Sequence, residues 1–249
     1  MGFASDLVLS NDQAPFRLKY RQLFFDLDHT LWDFERNSRE TIAEAVNHFE
    51  LQKRKPFELK RLYFIYEKVN DHHWHLYRQG KMTKEELRVS RFRKTLHELG
   101  IKDETLSLEV SDYYISNSPY KQNLFPGAIE LLEELQEDYR LHLITNGFRE
   151  VQHIKLDKAG IRKYFRNVII SEEVGYKKPQ PEIFHYALEL SAAMPSEALM
   201  IGDNIETDIK GAAGVGIDQV LFNPKARRHN FKPSYQIQEL AELREILKA

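Results

Sequence analysis

The sequence predicts an α/β protein with a doubly wound, Rossmann-like parallel sheet and an all-helical domain inserted after the first strand. Two observations predict this fold. Five short β-rich runs alternate with helical patterns, an order typical of a parallel sheet with helices on both faces. The alternation stops across residues 36–122, where only helical periodicity is found.

A chain of 249 residues is long enough for a core domain that carries an inserted module. We therefore expect residues 1–35 and 123–249 to form the catalytic core. Residues 36–122 are expected to form a helical cap. The first sixteen residues match neither part and are expected to be a peripheral leader.

The first predicted strand is YRQLFFDLD, residues 20–28, which is apolar and then acidic. The four later strands are expected to be RLHLITNG (140–147), NVIISEEV (167–174), ALMIGDN (198–204) and DQVLFN (218–223). Helices are expected between them, at 127–136, 150–159, 181–190 and 208–213. The connections are long enough for each crossover of a parallel sheet.

Three helices are predicted in the cap, at 39–49, 58–77 and 83–99. In the second of them, apolar and aromatic side chains recur at helical spacing from Leu62 to Leu76. Thr83 and Glu86 resemble a capping box, which marks a helix start after the break at Gly80.

The composition excludes several functional classes. The formal net charge is −2, so no long-range field attracts nucleic acid polymers or anionic lipid. The chain has no cysteine, which removes disulfides, thiol nucleophiles and thiolate metal sites. No apolar run is long enough to span a bilayer, and no signal peptide is recognisable. We expect a cytoplasmic protein whose partner is a small molecule and not a membrane.

Polar side chains follow four of the predicted strands. Asp26 and Asp28 end the first strand, and Asp203 ends the fourth. In open α/β sheets the carboxyl ends of the strands form the ligand site. Thr145 and Asn146 after the second strand and Lys178 after the third are expected at the same edge.

Three carboxylates at one sheet edge repel each other unless a cation or a proton intervenes. Mg²⁺ suits such a group, because it takes oxygen ligands and leaves room for waters and a substrate phosphate. Lys178 and the Thr145 hydroxyl supply donors for that phosphate. The sequence therefore predicts a magnesium-dependent site for a phosphate ester.

Four segments carry a family resemblance: DLDHT (26–30), ITNG (144–147), KKPQPEIF (177–184) and GDNIETD (202–208). In order and spacing they resemble the four motifs of the haloacid dehalogenase-like superfamily. The resemblance covers residues 20–223 except the insertion, which looks like the four-helix type of cap. Within the superfamily, the bacterial pyrimidine 5′-nucleotidase, or house-cleaning nucleotide phosphatase, branch is the most similar.

The resemblance implies a role for each residue. Asp26 is the nucleophile that becomes an aspartyl phosphate, and Asp28 is the general acid and base. The metal is held by the carboxylates of Asp26 and Asp203 and by the backbone carbonyl of Asp28. The remaining implied roles are phosphate binding by Thr145, Asn146 and Lys178, and support of Lys178 or of a metal-bound water by Asp208.

Two ambiguities concern neighbouring residues. Lys178 is preferred to Lys177, because the family lysine directly precedes the proline, here Pro179. Asn204 and Asp208 both remain candidates for assisting the metal.

Other motifs are better explained without chemistry. His72 and His75 lie one helical turn apart but have no further zinc ligand nearby, so the surface of a cap helix with aromatic packing is favoured over a metal site. The glycines at 211, 214 and 216 follow a helix and indicate a helix stop, not a dinucleotide loop. The basic run 225–229 is interpreted as a solvated loop. Most aromatic residues of the cap region are assigned to its interior, with one or two free to stack on a nucleobase: Trp32, Tyr63, Tyr66, Trp74 and Tyr77.

These observations predict a phosphatase that hydrolyses a small phosphomonoester, and a nucleoside 5′-monophosphate is the expected substrate. A phosphomutase or a sugar-phosphate or phosphoglycolate phosphatase on the same core is the alternative. A dehalogenase is disfavoured, because a halide leaving group does not need the proton that Asp28 supplies. A non-catalytic phosphate-binding module is also disfavoured, because Asp26, Asp28, Lys178 and Asp203 are all present.

Overall fold

The computed structural model of the chain describes residues 18–54 and 57–248. The predicted leader therefore lies outside the described residues. Of the described helices, none is both long enough and apolar enough to cross a membrane.

The core is built on a six-stranded parallel sheet, with strand order β3-β2-β1-β4-β5-β6. The strands are β1 Gln22–Phe25, β2 Arg140–Thr145, β3 Asn167–Ile170, β4 Ala198–Gly202, β5 Asp218–Phe222 and β6 Tyr235–Ile237. β1 pairs with both β2 and β4, so the crossovers change direction at β1. This arrangement confirms the predicted doubly wound parallel sheet and puts its switch point at the strand that precedes Asp26.

Helices cover both faces of the sheet, and the side chains of β1 alternate between two apolar clusters. Leu23 and Phe25 belong to one cluster, and Phe24 belongs to the other. The α-helices of the core are α5 Ala128–Asp138, α6 Arg149–Lys158, α7 Ser171–Val174, α8 Pro181–Ser191, α9 Lys210–Gly214 and α10 Leu243–Lys248. Trp32 is fully buried in the first of these clusters, so it packs in the core and not in the cap.

The strand predictions after β2 were wrong in two places. The run 167–174 is a strand only as far as Ile170, because Ser171–Val174 forms the short helix α7. Its two glutamates lie in the first turn, where the helix dipole favours negative charge. The sixth strand, Tyr235–Ile237, was not predicted, because three residues are too few to show a period of two.

Four helices form the insertion: α1 Phe34–His48, α2 Leu59–Arg78, α3 Lys84–Glu98 and α4 Glu104–Asn117. They enclose an apolar cluster of their own, which includes Leu62, Tyr66, Phe92 and Tyr114. The capping box of Thr83 and Glu86 at the start of α3 is confirmed. Because the insertion has its own core, it packs as a unit above the sheet.

The insertion contacts the core through Phe148, which follows β2. The Trp74 and Phe148 rings stack with their centroids 5.1 Å apart, and Tyr77 meets Phe148 edge-on. Lys84 forms ion pairs of 3.0 Å with both Glu150 and Glu172. These contacts place the ends of α2 and α3 directly over the carboxyl edge of the sheet.

Candidate active site

The turn after β1 separates the two aspartates that the sequence places side by side. The strand ends at Phe25, not at residue 28, because the chain turns back at His29, whose φ is 66°. The Leu27 carbonyl accepts hydrogen bonds from the backbone N–H groups of Leu31 and Trp32. Alternation along a continuing strand therefore does not apply, and the two carboxylates have different partners.

Asp26 is buried against Lys178. The Lys178 ammonium lies 2.6 Å from Asp26 and 2.7 Å from Asp208, and it also donates to the Ile144 carbonyl. The side chain of Lys178 is only 2% exposed. Lys177 points elsewhere, with its ammonium 3.6 Å from the centre of the Tyr77 ring. Of the two adjacent lysines, Lys178 is the one that contacts Asp26.

Asp26, Asp203 and Asp208 form an acidic cluster, with one carboxylate oxygen of each within 4.8 Å of the others. Burial, together with repulsion from Asp208 and Asp28, raises the pKa of Asp26 to about 7 although Lys178 opposes the shift. Burial, together with repulsion from Asp208 and Asp26, raises the pKa of Asp203 well above its usual value. Ionised carboxylates are unfavourable here without a cation, so the residues fit Mg²⁺.

The loop after β4 distinguishes Asn204 from Asp208. The Asn204 side chain accepts hydrogen bonds from the backbone N–H groups of Glu206 and Thr207 and so begins the next helical turn. Asp208 is 1% exposed and lies in the acidic cluster. A Cβ atom at Gly202 would lie 2.4 Å from the Asp208 carboxylate, so this position has room only for glycine. Asp208 therefore belongs to the acidic cluster, whereas the side-chain oxygen of Asn204 is bound to backbone N–H groups.

Asp28 has partners that the sequence analysis missed. Lys155 lies 2.5 Å from one carboxylate oxygen, and the Gln152 amide donates to the other at 2.8 Å. Burial by itself raises the pKa of Asp28, but Lys155 and Gln152 outweigh it and hold that pKa below the usual value. Asp28 is therefore held ionised in this arrangement.

The missed residues did leave a signal in the sequence. Gln152 and Lys155 are three residues apart on α6, adjacent to Leu156, and all three are buried. Two polar side chains on the inner face of an amphipathic helix are unusual unless they have a buried partner. That partner is Asp28.

Thr145 and Asn146 end β2 beside Lys178. The Thr145 hydroxyl accepts hydrogen bonds from the Gly147 N–H and from Gln152. The Asn146 side chain donates to the Lys178 carbonyl at 2.8 Å and accepts from the Lys178 N–H at 2.9 Å. Asn146 thus ties the loop after β2 to the loop that carries Lys178, a contact the sequence analysis did not predict.

A cavity of about 1000 Å³ opens above these residues, between the core and the insertion. Three aromatic side chains of α2 line it: Tyr63, Tyr66 and Trp74. Tyr77 does not; it packs against Phe148. His72 and His75, which the sequence analysis weighed as zinc ligands, are not among the described residues that line the cavity. The His75 ring lies 2.8 Å from the Gln79 amide.

The basic run 225–229, which follows β5, contributes residues to the border of the cavity, a position that its composition did not predict. Lys225 and Arg227 are exposed, but both border the cavity. Lys225 also forms an ion pair with Glu35 at the start of α1. The loop is therefore part of the rim between the core and the insertion.

Comparisons with known proteins agree with this geometry. A family model described as haloacid dehalogenase-like hydrolase matches residues 20–216. The chain is 32% identical to the HAD-hydrolase YfnB of Bacillus subtilis, over 92% of this chain and 96% of that protein. It is 31% identical to the pyrimidine 5′-nucleotidase YjjG of Escherichia coli, with coverage of 92% and 99%. It is 27% identical to the N-acylneuraminate-9-phosphatase of Mus musculus, with coverage of 93% and 95%.

The crystal structure of YfnB, in an orthorhombic form bound to magnesium that reveals interdomain movement, is also similar to this chain. The TM-score is 0.83 at 29% identity, covering 93% of this chain and all of that one. The likeness extends over both the sheet and the inserted helices.

Proposed function

The chain belongs to the haloacid dehalogenase-like hydrolases and hydrolyses phosphoric monoesters; from that premise we propose that its substrate is a nucleoside 5′-monophosphate, cleaved with Mg²⁺ through an aspartyl phosphate on Asp26. The observation that carries the proposal is the buried Asp26 carboxylate, 2.6 Å from the Lys178 ammonium at the base of the large cavity. The Lys178 ammonium pairs with one oxygen of this carboxylate, and the other oxygen is available to attack the phosphorus atom.

The first step transfers the phosphoryl group to the protein. A carboxylate oxygen of Asp26 forms a bond to phosphorus, and the bond from phosphorus to the leaving oxygen breaks. Because Lys155 and Gln152 favour the ionised form of Asp28, this carboxylate must take up a proton as the substrate binds. It then gives that proton to the leaving oxygen, so the alcohol leaves uncharged. Lys178 balances the charge on the Asp26 side, while the Thr145 hydroxyl and backbone N–H groups of the loop after β2 hold the phosphoryl oxygens.

The second step returns Asp26 to its resting form. Asp28 takes a proton from a water molecule, the water oxygen attacks phosphorus, and the bond to Asp26 breaks to release phosphate. The lowered pKa of Asp28 suits this role as a base. Asp26 and Asp203, with the backbone carbonyl of Asp28 and with Asp208 beside them, would hold Mg²⁺, which neutralises the acids and polarises the phosphoryl oxygens.

Two observations support a nucleotide as the substrate. A relative that covers nearly the whole chain is a pyrimidine 5′-nucleotidase. The cavity has the volume of a site for a drug-sized ligand, and Tyr63, Tyr66 and Trp74 offer ring faces on which a base can stack.

A carboxylated sugar phosphate is the second candidate. Arg78 and Arg227 line the cavity, and neither forms an ion pair with a carboxylate of the described residues. Such free guanidinium groups suit a leaving group that carries negative charge. The similarity to an N-acylneuraminate-9-phosphatase supports the same reading.

A phosphate-release screen separates these candidates. It compares pyrimidine and purine nucleoside monophosphates with N-acylneuraminate 9-phosphate, phosphoglycolate and glucose 1-phosphate, each with Mg²⁺ and with EDTA. We expect a pyrimidine nucleotide to exceed the others in kcat/KM by at least about tenfold, a difference of about 1.4 kcal/mol. A preference for a non-nucleotide would refute the substrate, and isomer formation without phosphate release would indicate a phosphomutase.

A further inference from the structure

A second, smaller cavity opens beside Asp28, and its lining does not include the three residues of the acidic cluster. Its volume is about 50 Å³, and it shares Asp28, Phe34, Trp74 and Gly147 with the main cavity. We call it the side cavity. Because Asp28 lines both spaces and is the proposed proton donor to the leaving oxygen, the side cavity lies next to the leaving group.

Several residues that line the side cavity carry buried polar atoms without a hydrogen-bond partner among the described residues. Seven buried side-chain nitrogen or oxygen atoms of the described residues have no hydrogen-bond partner, and three of them belong to residues that line this one cavity. They are Arg88 Nε, Arg91 Nε and Gln152 Oε1. A buried polar atom without a partner costs free energy, so this concentration indicates a site that receives a polar group.

Arg91 is the strongest of these features. Its side chain is 5% exposed, and its hydrogen-bond partner among the described residues is Asn70, at 3.2 Å. No carboxylate of the described residues forms an ion pair with it; instead its guanidinium lies 4.8 Å from the centre of the Tyr114 ring. A buried cation that lacks an anion is unfavourable unless a ligand completes its environment.

Asn70 connects Arg91 to the main cavity. It is 4% exposed and lines the main cavity, while Arg91 lines the side cavity. The Asn70 carbonyl accepts one hydrogen bond from Arg91, and the guanidinium of Arg91 has N–H donors and no acceptor. The matching group on a ligand is a hydrogen-bond-accepting oxygen.

We infer that Arg91, held by Asn70, determines specificity by donating hydrogen bonds to an acceptor oxygen of the leaving group in the side cavity. The oxygen belongs to a base carbonyl or to a carboxylate. A volume of about 50 Å³ admits one such group but not a whole aromatic ring, so only the edge of a larger leaving group enters. The inference rests on the proposed function, because it concerns the leaving group of the same reaction.

The test uses Arg91→Met and three substrates. Uridine 5′-monophosphate carries base carbonyls, 3-phosphoglycerate carries a carboxylate, and phenyl phosphate carries neither. For wild type and variant, kcat/KM of each of the first two is divided by kcat/KM of phenyl phosphate. We expect one ratio to fall by about 10- to 100-fold, since hydrogen bonds to a charged group are lost.

A lower ratio for uridine 5′-monophosphate identifies the oxygen as a base carbonyl. A lower ratio for 3-phosphoglycerate identifies it as a carboxylate. Arg93→Met is the matched control, because Arg93 lies on the same helix and is half exposed. Its two ratios should stay within about twofold of wild type. If both ratios of Arg91→Met also stay there, the side cavity holds only water and Arg91 only packs the insertion, which overturns the inference.

Thermal unfolding shows whether Arg91→Met is folded. If it is not, Arg91→Lys and Asn70→Ala replace it: the first keeps the charge but loses the planar donors, and the second removes the partner that orients them. Both should lower the same ratio. Failure of the proposed substrate is a separate result, because it is visible in the wild type alone as a lack of preference for nucleotides over phenyl phosphate.

Discussion

The core and the insertion face each other across one cavity, and they differ in how their polar groups are satisfied. On the core side, Lys178 is paired with two carboxylates, and Asp28 is paired with Lys155 and Gln152. On the insertion side, Arg91 is buried, and no carboxylate of the described residues pairs with it. The core-side groups are therefore paired with one another, whereas Arg91 of the insertion keeps a buried donor that no group of the described residues accepts.

This difference separates two functions. Groups that act on every phosphate ester can be paired in advance, because the phosphoryl group is always the same. Groups that choose a leaving group are left with unused donors until the leaving group arrives. Changes in the core should therefore reduce the rate for all substrates alike, and changes in the insertion should alter the ranking of substrates.

The largest effect is expected from Asp26→Asn. Without a nucleophile, kcat should fall by at least about 10⁴-fold for every phosphomonoester. The fold should be retained, because an amide keeps the shape of the side chain and removes a carboxylate whose pKa is raised by burial. Steady-state kinetics and thermal unfolding measure both. Turnover within about tenfold of wild type would show that Asp26 is not the nucleophile.

Lys178→Met should have the next largest effect. It leaves Asp26 and Asp208 buried without their shared cation, so kcat should fall by about 10²- to 10³-fold for all substrates. The free energy of unfolding should fall by about 3–5 kcal/mol. Denaturant titration and kinetics on the substrate panel measure these losses.

Lys177→Met is the matched control for this experiment. Lys177 is the adjacent lysine but lies over the Tyr77 ring, so its replacement should change kcat by less than about threefold. Equal losses in the two variants would contradict the assignment of Lys178.

A change at Trp74 tests the insertion side. Trp74→Leu removes the stacking on Phe148 and a ring face of the cavity, so KM should rise by about 3- to 10-fold, with a smaller change in kcat. The rise should differ between nucleotides and phosphoglycolate. Phe64→Leu on the same helix is the control, since Phe64 is 57% exposed. A uniform loss of kcat on all substrates would remove the distinction between core and insertion.

The smallest expected effect is on stability. Burial raises the pKa values of Asp26 and Asp203, that of Asp26 to about 7. Without metal, their contribution to stability is therefore complete at pH below about 4 and is lost as pH rises through these raised pKa values. Mg²⁺ binds the ionised form, so the gain in Tm between EDTA and Mg²⁺ should be larger at pH 8 than at pH 5.5. The gain should shrink in Asp203→Asn. A gain independent of pH would contradict the metal site.

Much of the fold could be predicted because hydrophobic patterning is a local signal. The apolar run before Asp26 and the alternation of strands and helices identified the parallel sheet and the insertion. The sequence could not show where a strand stops within a polar run. The turn at His29 and the helix Ser171–Val174 depend on backbone conformation and on charge at a helix start.

The candidate site could be predicted only where its residues belong to fixed motifs. Asp26, Lys178 and Asp203 follow strands in recognisable segments. Lys155 and Gln152 could not be assigned to Asp28, because their pairing joins residues more than 120 positions apart. Arg91 could not be recognised either, because its lack of a carboxylate is a property of the packed insertion and not of any short segment.

The most direct test is to trap the phosphorylated protein. Wild-type protein is mixed with its best substrate and Mg²⁺ and is quenched in acid during turnover. Borohydride then reduces the quenched protein and converts an aspartyl phosphate to homoserine. The peptide that contains residues 26 and 28 is sequenced by mass spectrometry. We predict homoserine at position 26 only, and none when substrate is omitted. Homoserine at another aspartate, or no homoserine in any peptide while phosphate is released in a burst, would contradict the claim that Asp26 receives the phosphoryl group.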